Sequence, residues 1–278
     1  MLTNKTIGFI GSGNMAEALI RGLIASKKVS AGQIIASDNN KERLVHIAET
    51  YEVKVFNKNY EIAEGADIII LALKPGDMKE AIEGVADGFS SEKVLVSIAA
   101  GITTDKIHMW LRSGGLTEEV PVVRAMPNTP AIVGEGATGI AAGRNAGRDE
   151  LKLCEEIFAQ VGKVVTLDDE SLLNGLTGLS GSGPAYVFLF MEALCDGGVK
   201  CGLDYEDAKL LALQTTLGAA LLALDSDKDL KALRKMVSSP GGTTIEGLKK
   251  LDESGFYDIL IGAVRAASKR AEELSSGA

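Results

Sequence analysis

Histidine and cysteine are scarce in this sequence: His46, His108, Cys154, Cys195 and Cys201 are the complete set in 278 residues. No CxxC pair occurs, and three thiols cannot form an even disulfide framework. The ligand supply therefore argues against zinc and any other metal site, and the thiols fit a reducing compartment. Basic residues are also in deficit, 29 Lys and Arg against 38 Asp and Glu, for a net charge of −9. An acidic surface repels nucleic acid and anionic membranes, so neither is expected as a partner. It also disfavours a small anionic substrate, so an anion site would need its own local donors. No apolar run reaches ~18 residues without a charge, which argues against a membrane span. The start, Met1-Leu2-Thr3-Asn4-Lys5, lacks the apolar stretch of a signal peptide. Together these absences predict a cytoplasmic protein.

What is present is ordinary for a folded chain: 46 % hydrophobic and 24 % charged residues. The length suggests two domains, and the pattern changes partway along. Up to Leu167, strand and helix patterns alternate. Strands are predicted at residues 6–10, 33–37, 54–56, 67–73, 93–97, 120–124, 138–142 and 163–167, with helices at 16–25 and 41–51 among them. Asp67–Leu73 is apolar on both faces, as in a parallel sheet covered by helices. The predicted class is an α/β, Rossmann-type doubly wound domain over residues 1–167. From residue 168 to 278 strand signals fade, and Ala-, Leu- and Gly-rich helices dominate, strongest at 185–195, 207–224 and 259–274. Residues 207–224 carry more apolar surface than one helix of a small domain hides. A core helix and a helix at a subunit interface both fit, the interface better.

Gly11-Ser12-Gly13-Asn14-Met15-Ala16 is a GxGxxA sequence between the first strand and the first helix, the context a dinucleotide fingerprint requires. Gly11 permits the tight turn, Gly13 lets the backbone approach a pyrophosphate, and Ala16 keeps helix and strand close. The helix N-terminus offers free N–H groups to the phosphates. At the end of the second strand Asp38 lies about 20 residues beyond the loop, where an acid binds the ribose 2′-OH of NAD. Ser37, with Lys41 or Arg43, could instead take a 2′-phosphate, and Asp38 could be an N-cap for the helix that follows.

Further motifs occur in order. They are Ala72-Leu73-Lys74-Pro75, Ser97-Ile98-Ala99-Ala100-Gly101, Met126-Pro127-Asn128-Thr129-Pro130, Leu179-Ser180-Gly181-Ser182-Gly183-Pro184-Ala185-Tyr186, and Ser238-Ser239-Pro240-Gly241-Gly242-Thr243-Thr244. Read together, from about Lys5 to Glu273, they resemble the pyrroline-5-carboxylate reductase family. The MPNTP and SPGGTT segments are its specific marks, whereas the Gly-rich loop is shared with many dehydrogenases.

The resemblance implies a Rossmann domain followed by an all-helical dimerisation domain like the C-terminal part of 6-phosphogluconate dehydrogenases. It implies a homodimer through that domain, with room for further assembly to a decamer. The implied reaction is NAD(P)H-dependent reduction of 1-pyrroline-5-carboxylate to L-proline, the last step of proline biosynthesis. NADP(H) is the preferred cofactor and NAD(H) an alternative. The cofactor set implied is Ile10, Gly11, Ser12, Gly13, Asn14, Met15, Ser37, Asp38, Asn59, Ala72, Leu73, Lys74, Pro75, Ile98, Ala99 and Ala100. The substrate set is Asn128, Ser182, Gly242, Thr243 and Thr244, with Thr244 as the catalytic residue near the ring nitrogen.

Residue chemistry runs beside the resemblance. Lys74 follows a central strand at its carboxyl end, where open α/β sheets bind ligands. Pro240 can stop a helix, and Gly241 and Gly242 permit unusual angles before a new helix starts at Thr243 or Thr244. Free N–H groups at such a start bind a carboxylate, although a plain turn with a Thr cap reads the same way. Ser182 could touch substrate or simply precede Pro184 at the first turn of a helix. Asn128 could contact the nicotinamide region or cap its own loop. No His, Asp or Glu in these motifs is an obvious general acid, so positioning is expected to supply most of the catalysis. Two positions depart from some family members: Met236 replaces an Asn, and Asp227 replaces a Glu. A related 3-hydroxy-acid dehydrogenase and a non-catalytic dinucleotide-sensing scaffold are the competing readings. The first lacks its Lys in the GSGPAY segment, and the second would have no use for SPGGTT.

Overall fold

A computed structural model describes residues 2–276. The chain falls into two compact units: residues up to Ser182 together with those from Ala266 on, and Gly183–Arg265. The first unit is an eight-stranded sheet flanked by helices. In chain order its elements are β1 (Ile7–Ile10), α1 (Asn14–Ala25), β2 (Ile34–Ser37), α2 (Lys41–Tyr51), β3 (Lys54–Phe56), α3 (Asn59–Gly65), β4 (Ile68–Leu71), α4 (Met78–Glu83), β5 (Val94–Ser97), α5 (Thr104–Ser113), β6 (Val122–Met126), β7 (Gly136–Ala142), α6 (Arg148–Phe158), β8 (Gly162–Leu167) and the short α7 (Leu172–Leu176).

The strand order is 3-2-1-4-5-6-7-8. β1 to β6 are parallel, successive strands being joined by the crossover helices α1 to α5. β7 runs antiparallel to β6, and β8 follows β7 in parallel, so the last two strands point the other way. The reason is the connection. Between β6 and β7 the chain has only Pro127–Glu135, mostly a 3₁₀ turn at Thr129–Val133, too short for the crossover that a parallel pair needs.

The centre of the sheet is buried on both faces, and alternate residues sort to opposite sides. Ile7, Phe9, Ile68 and Ile70 join the core formed with Leu19, Ile20, Leu23 and Phe158. Ile10, Ile69 and Leu71 join the other, with Met78, Ile82, Ile107 and Leu111. This explains why β4 reads as an unbroken apolar run. β1 lies between β2 and β4, where the direction of strand addition reverses. The crevice that such a reversal opens beyond the strands' carboxyl ends is the natural ligand position.

A five-residue π-helical turn, Thr177–Gly181, follows α7 and ends the first unit's continuous stretch. The second unit holds α8 (Gly183–Lys200), α9 (Tyr205–Asp225), α10 (Leu230–Met236), α11 (Thr243–Glu253) and the start of α12 (Phe256–Ser276). Among the described residues its buried apolar cluster is Cys195, Ala208 and Ala212. Phe188, Leu189, Leu210, Leu224 and Ile259 are each more than 60 % exposed in the single chain. α9 carries apolar residues all round. By length and composition it is long enough and apolar enough to cross a membrane, although its polar band, Gln214-Thr215-Thr216, sits at mid-helix.

Candidate functional site: a dinucleotide cleft at the strand reversal

A cleft of about 620 Å³ opens at the carboxyl ends of β1, β2 and β4. Gly11, Gly13, Asp38, Asn59, Leu73 and Lys74 are among its walls. It is built by the turn between β1 and α1. Gly11 holds φ +94, and a Cβ there would lie 2.5 Å from the carbonyl oxygen of Ala72. Only glycine lets the turn pass so close to the end of β4. Gly13 is the N-cap of α1. A Cβ on it would meet nothing within 4 Å, so its space faces the cleft. Asn14 and Met15 form the first turn of α1, whose N–H groups are left free for an anion.

The turn is anchored by charge. Ser12 is buried; its N–H donates to Asp38 Oδ2 at 2.6 Å and its hydroxyl to the Ser37 carbonyl. The Ser12 carbonyl accepts from Nε and Nη2 of Arg43 at 2.9 and 2.7 Å. Arg43 Nη2 also donates to Glu17, which His46 and Tyr51 hold from the other side. α1 and α2 are thereby tied together directly beneath the loop. Partial burial pushes the Glu17 carboxyl up, but the hydrogen bonds from His46, Arg43 and Tyr51 outweigh it and bring it from 4.5 down to about 2. A depressed folded-state value stabilises the fold above the unfolded value and ceases to as pH falls from 4.5 toward 2. Glu17→Gln is therefore expected to cost on the order of 2 kcal/mol at pH 7, below the full linkage value because the carboxylate keeps some solvent. The penalty should shrink to near zero as pH approaches 2, as read by urea unfolding of both proteins.

Three readings of the second strand change here. Asp38 does not cap α2: Asn40 is the N-cap and accepts from the N–H groups of Glu42 and Arg43. The Asp38 carboxylate instead accepts from Ser12 and, through Oδ1, from the Asn40 N–H at 2.8 Å. Ser37 is fully buried and donates to Asn59 Oδ1 at 2.8 Å. Arg43 is committed to Ser12 and Glu17. Ser37 and the Nε and Nη2 groups of Arg43 thus have protein partners at the end of β2, and Lys58 lines the cleft beside Asn59. Its adjacency to Asn59 was the available sequence signal. Asn59 itself begins α3.

Ala72 and Leu73 continue β4 into the cleft, and Lys74 is exposed at its rim ahead of the turn opened by Pro75. Ile10 is buried beneath. Ile98, Ala99 and Ala100 follow β5; Ala99 is buried, and none of the three lines this cleft. Asn128 uses its amide to brace the protein, accepting from the Ala137 N–H at 2.8 Å and donating to the Ser180 carbonyl at 3.0 Å. Ser182 closes the π turn, its N–H donating to the Thr177 carbonyl at 2.8 Å.

The SPGGTT segment lies in the second unit. α11 starts at Thr243 with Gly242 as N-cap and no side-chain cap, so the Thr-capped alternative does not occur. Gly241 takes the positive φ, +73, whereas Gly242 has ordinary extended angles. The exposed first turn thus presents the N–H groups of Thr243 and Thr244. Among the described residues, no group of three or more His, Cys, Asp or Glu is placed to hold a metal ion.

Fold and cleft fit a dinucleotide: a glycine cradle open to the cleft, an unblocked helix N-terminus, and an acid at the end of β2. They define a Rossmann-type, dinucleotide-dependent oxidoreductase with an appended helical domain. The sequence profile described as pyrroline-5-carboxylate reductase dimerisation matches residues 170–274, and one described as NADP oxidoreductase, coenzyme F420-dependent, matches residues 6–101. A pyrroline-5-carboxylate reductase of Pseudomonas aeruginosa is 41 % identical over 99 % of this chain and 98 % of its own, and one of Arabidopsis thaliana 40 % over 97 % and 95 %. The solved pyrroline-5-carboxylate reductase of Coxiella burnetii superposes with a TM-score of 0.91 at 39 % identity, covering 98 % of each chain. The Plasmodium falciparum pyrroline carboxylate reductase, solved with NADP bound, gives 0.86 at 31 % identity, covering 98 % and 99 %. The chain belongs to the pyrroline-5-carboxylate reductase family.

Proposed function

We infer that this protein is an NAD(P)H-dependent imine reductase that converts 1-pyrroline-5-carboxylate to L-proline, the closing step of proline biosynthesis. The observation that carries this is 41 % identity to a pyrroline-5-carboxylate reductase over 99 % of the chain, a span that takes in both the cofactor turn and the SPGGTT segment. Residues 1–167 hold the dinucleotide, and residues 168–278 supply the substrate and dimer surfaces. The Gly11–Met15 turn and the N-terminus of α1 hold the pyrophosphate, and Asp38, Asn59 and Lys74 hold the adenosine side. The bound nicotinamide supplies the hydride. Gly242, Thr243 and Thr244 hold the substrate carboxylate through the N–H groups of the first turn of α11, the local donors that a protein of net charge −9 needs. The helical domain is a dimerisation domain, and a second copy covers the apolar faces of α8, α9 and α12. This accounts for α9 without a membrane. We extend this assembly to a decamer and place the protein in the cytoplasm, where its three thiols stay reduced. Loss of NADPH absorbance on adding pyrroline-5-carboxylate and protein tests the reaction. NADPH that binds but is not oxidised would overturn it. Light scattering tests the assembly.

Cofactor choice follows from Asp38. Its carboxylate occupies the Ser12 and Asn40 N–H groups, donors that a 2′-phosphate would otherwise use, and it repels that phosphate. Asp38→Ser is expected to raise the ratio of kcat/KM for NADPH to that for NADH by ~10-fold or more. Side-by-side kinetics with the two cofactors check it; an unchanged ratio would take Asp38 out of cofactor selection.

A further inference from the structure

Arg124, on β6, is 2 % exposed and meets one acid, Glu170, with Nη1 3.1 Å from Oε1. Its Nε is buried without a partner among the described residues. Burying a guanidinium this deeply is costly, and an apolar side chain of the same volume would pack without that cost. What the ion pair provides and apolar packing does not is direction. Glu170 is also bound to a third element: Oε1 accepts the Thr104 N–H at 2.9 Å, and Oε2 accepts the Thr104 hydroxyl at 2.6 Å. Thr104 opens α5. That helix is already capped by Thr103, whose hydroxyl accepts from the Lys106 N–H, so the bonds from Glu170 exceed what the helix end requires. They fix its position.

The position matters because α5 emerges directly from the loop that begins Ile98-Ala99-Ala100. Gly101 in that loop, with φ +74, is packed against the backbone of Leu274. On the other side Glu170 stands just before α7, which leads into the π turn and the helical domain. The same strand end reaches this stretch twice, through Arg124 to Glu170 and through Asn128 to the Ser180 carbonyl.

We propose that Arg124 and Glu170 are positioning residues for the hydride-transfer step: the pair locks the β5–α5 loop and the segment that opens α7 onto β6, all within the first unit, so that the nicotinamide is held at one fixed orientation. This rests on the reductase reading above and on assigning Ile98–Ala100, members of the implied cofactor set, to the nicotinamide end of NADPH. Hydride transfer depends steeply on donor alignment, whereas the adenosine cleft lies at the other side of β4 and does not use this clasp.

The test is single-turnover oxidation of NADPH at saturating pyrroline-5-carboxylate, with calorimetric binding of 2′,5′-ADP as a probe of the adenosine cleft alone. Glu170→Gln keeps the shape and removes the charge. It should lower the first-order rate constant ~10-fold, with 2′,5′-ADP affinity unchanged. Thr104→Val removes one hydroxyl without unpairing Arg124, so it tests the same clasp if Glu170→Gln folds poorly; a ~3-fold fall is expected. A merely structural role would reduce the amplitude, the fraction of working molecules, and leave the rate constant alone. Unchanged rate constants in both variants would overturn the proposal while the reductase reading stands. A wild-type protein that oxidises no NADPH would remove the reductase reading itself.

Discussion

Thr244→Ala is expected to lower kcat by ~100-fold while NADPH affinity stays within about twofold. Hydride arriving at the imine carbon leaves an electron pair on the ring nitrogen, which must carry or receive a proton. None of the motif residues is a carboxylic acid or imidazole suited to deliver it. Thr244 is the second residue of α11 and is exposed at the helix start, beside the N–H groups proposed above to hold the substrate carboxylate. A threonine hydroxyl is a poor acid, so the part proposed for it is to orient the nitrogen and pass a proton from water. Removing it therefore affects turnover and spares the cofactor cleft, which lies in the other unit. Steady-state kcat together with NADPH fluorescence titration checks both halves. Full activity in Thr244→Ala would remove this residue from the mechanism.

The second large effect separates two glycines that look equivalent in the fingerprint. Gly11→Ala should weaken NADPH binding by ~100-fold and lower Tm as well. The alanine would have to hold φ +94 with its Cβ 2.5 Å from the Ala72 carbonyl oxygen, and backbone atoms cannot yield as a flexible side chain does. The left-handed conformation alone costs about 1–2 kcal/mol. Relieving the clash pulls the turn off β4 and disturbs the Ser12–Asp38 bond. Gly13→Ala should weaken binding ~10-fold or more yet leave Tm unchanged. Gly13 has φ −68, and its Cβ would enter open space, the space a pyrophosphate fills. Calorimetry with thermal unfolding distinguishes the two. Unimpaired NADPH binding by Gly13→Ala would show that the pyrophosphate does not lie against this turn.

The central strands were legible from apolar runs, because a strand covered on both faces needs apolar residues at every position, whereas β3 and β8 at the sheet edges have no buried residue. The cofactor turn was legible because its glycines answer a local geometric demand. The partners of Ser37, Asp38 and Arg43 were not. Each residue type suited a 2′-phosphate or a ribose equally well, and the choice depended on Ser12, Glu17 and Asn59, brought near by β1, α1 and α3. The role of Arg124 was not legible either. Within a strand it reads as one polar residue among apolar ones, and its meaning lies in Glu170, 46 residues further on.

By itself, then, the sequence determined the order of strands and helices, the dinucleotide turn and the family, since these rest on periodicity and on residues acting with their immediate neighbours. The tertiary structure alone decided the reversal of β7 and β8, the capture of Asp38 by the glycine loop, and the clasp joining β6, α5 and α7. Those depend on hydrogen-bond geometry between residues far apart in the chain, which only a packed backbone brings within 3 Å or so.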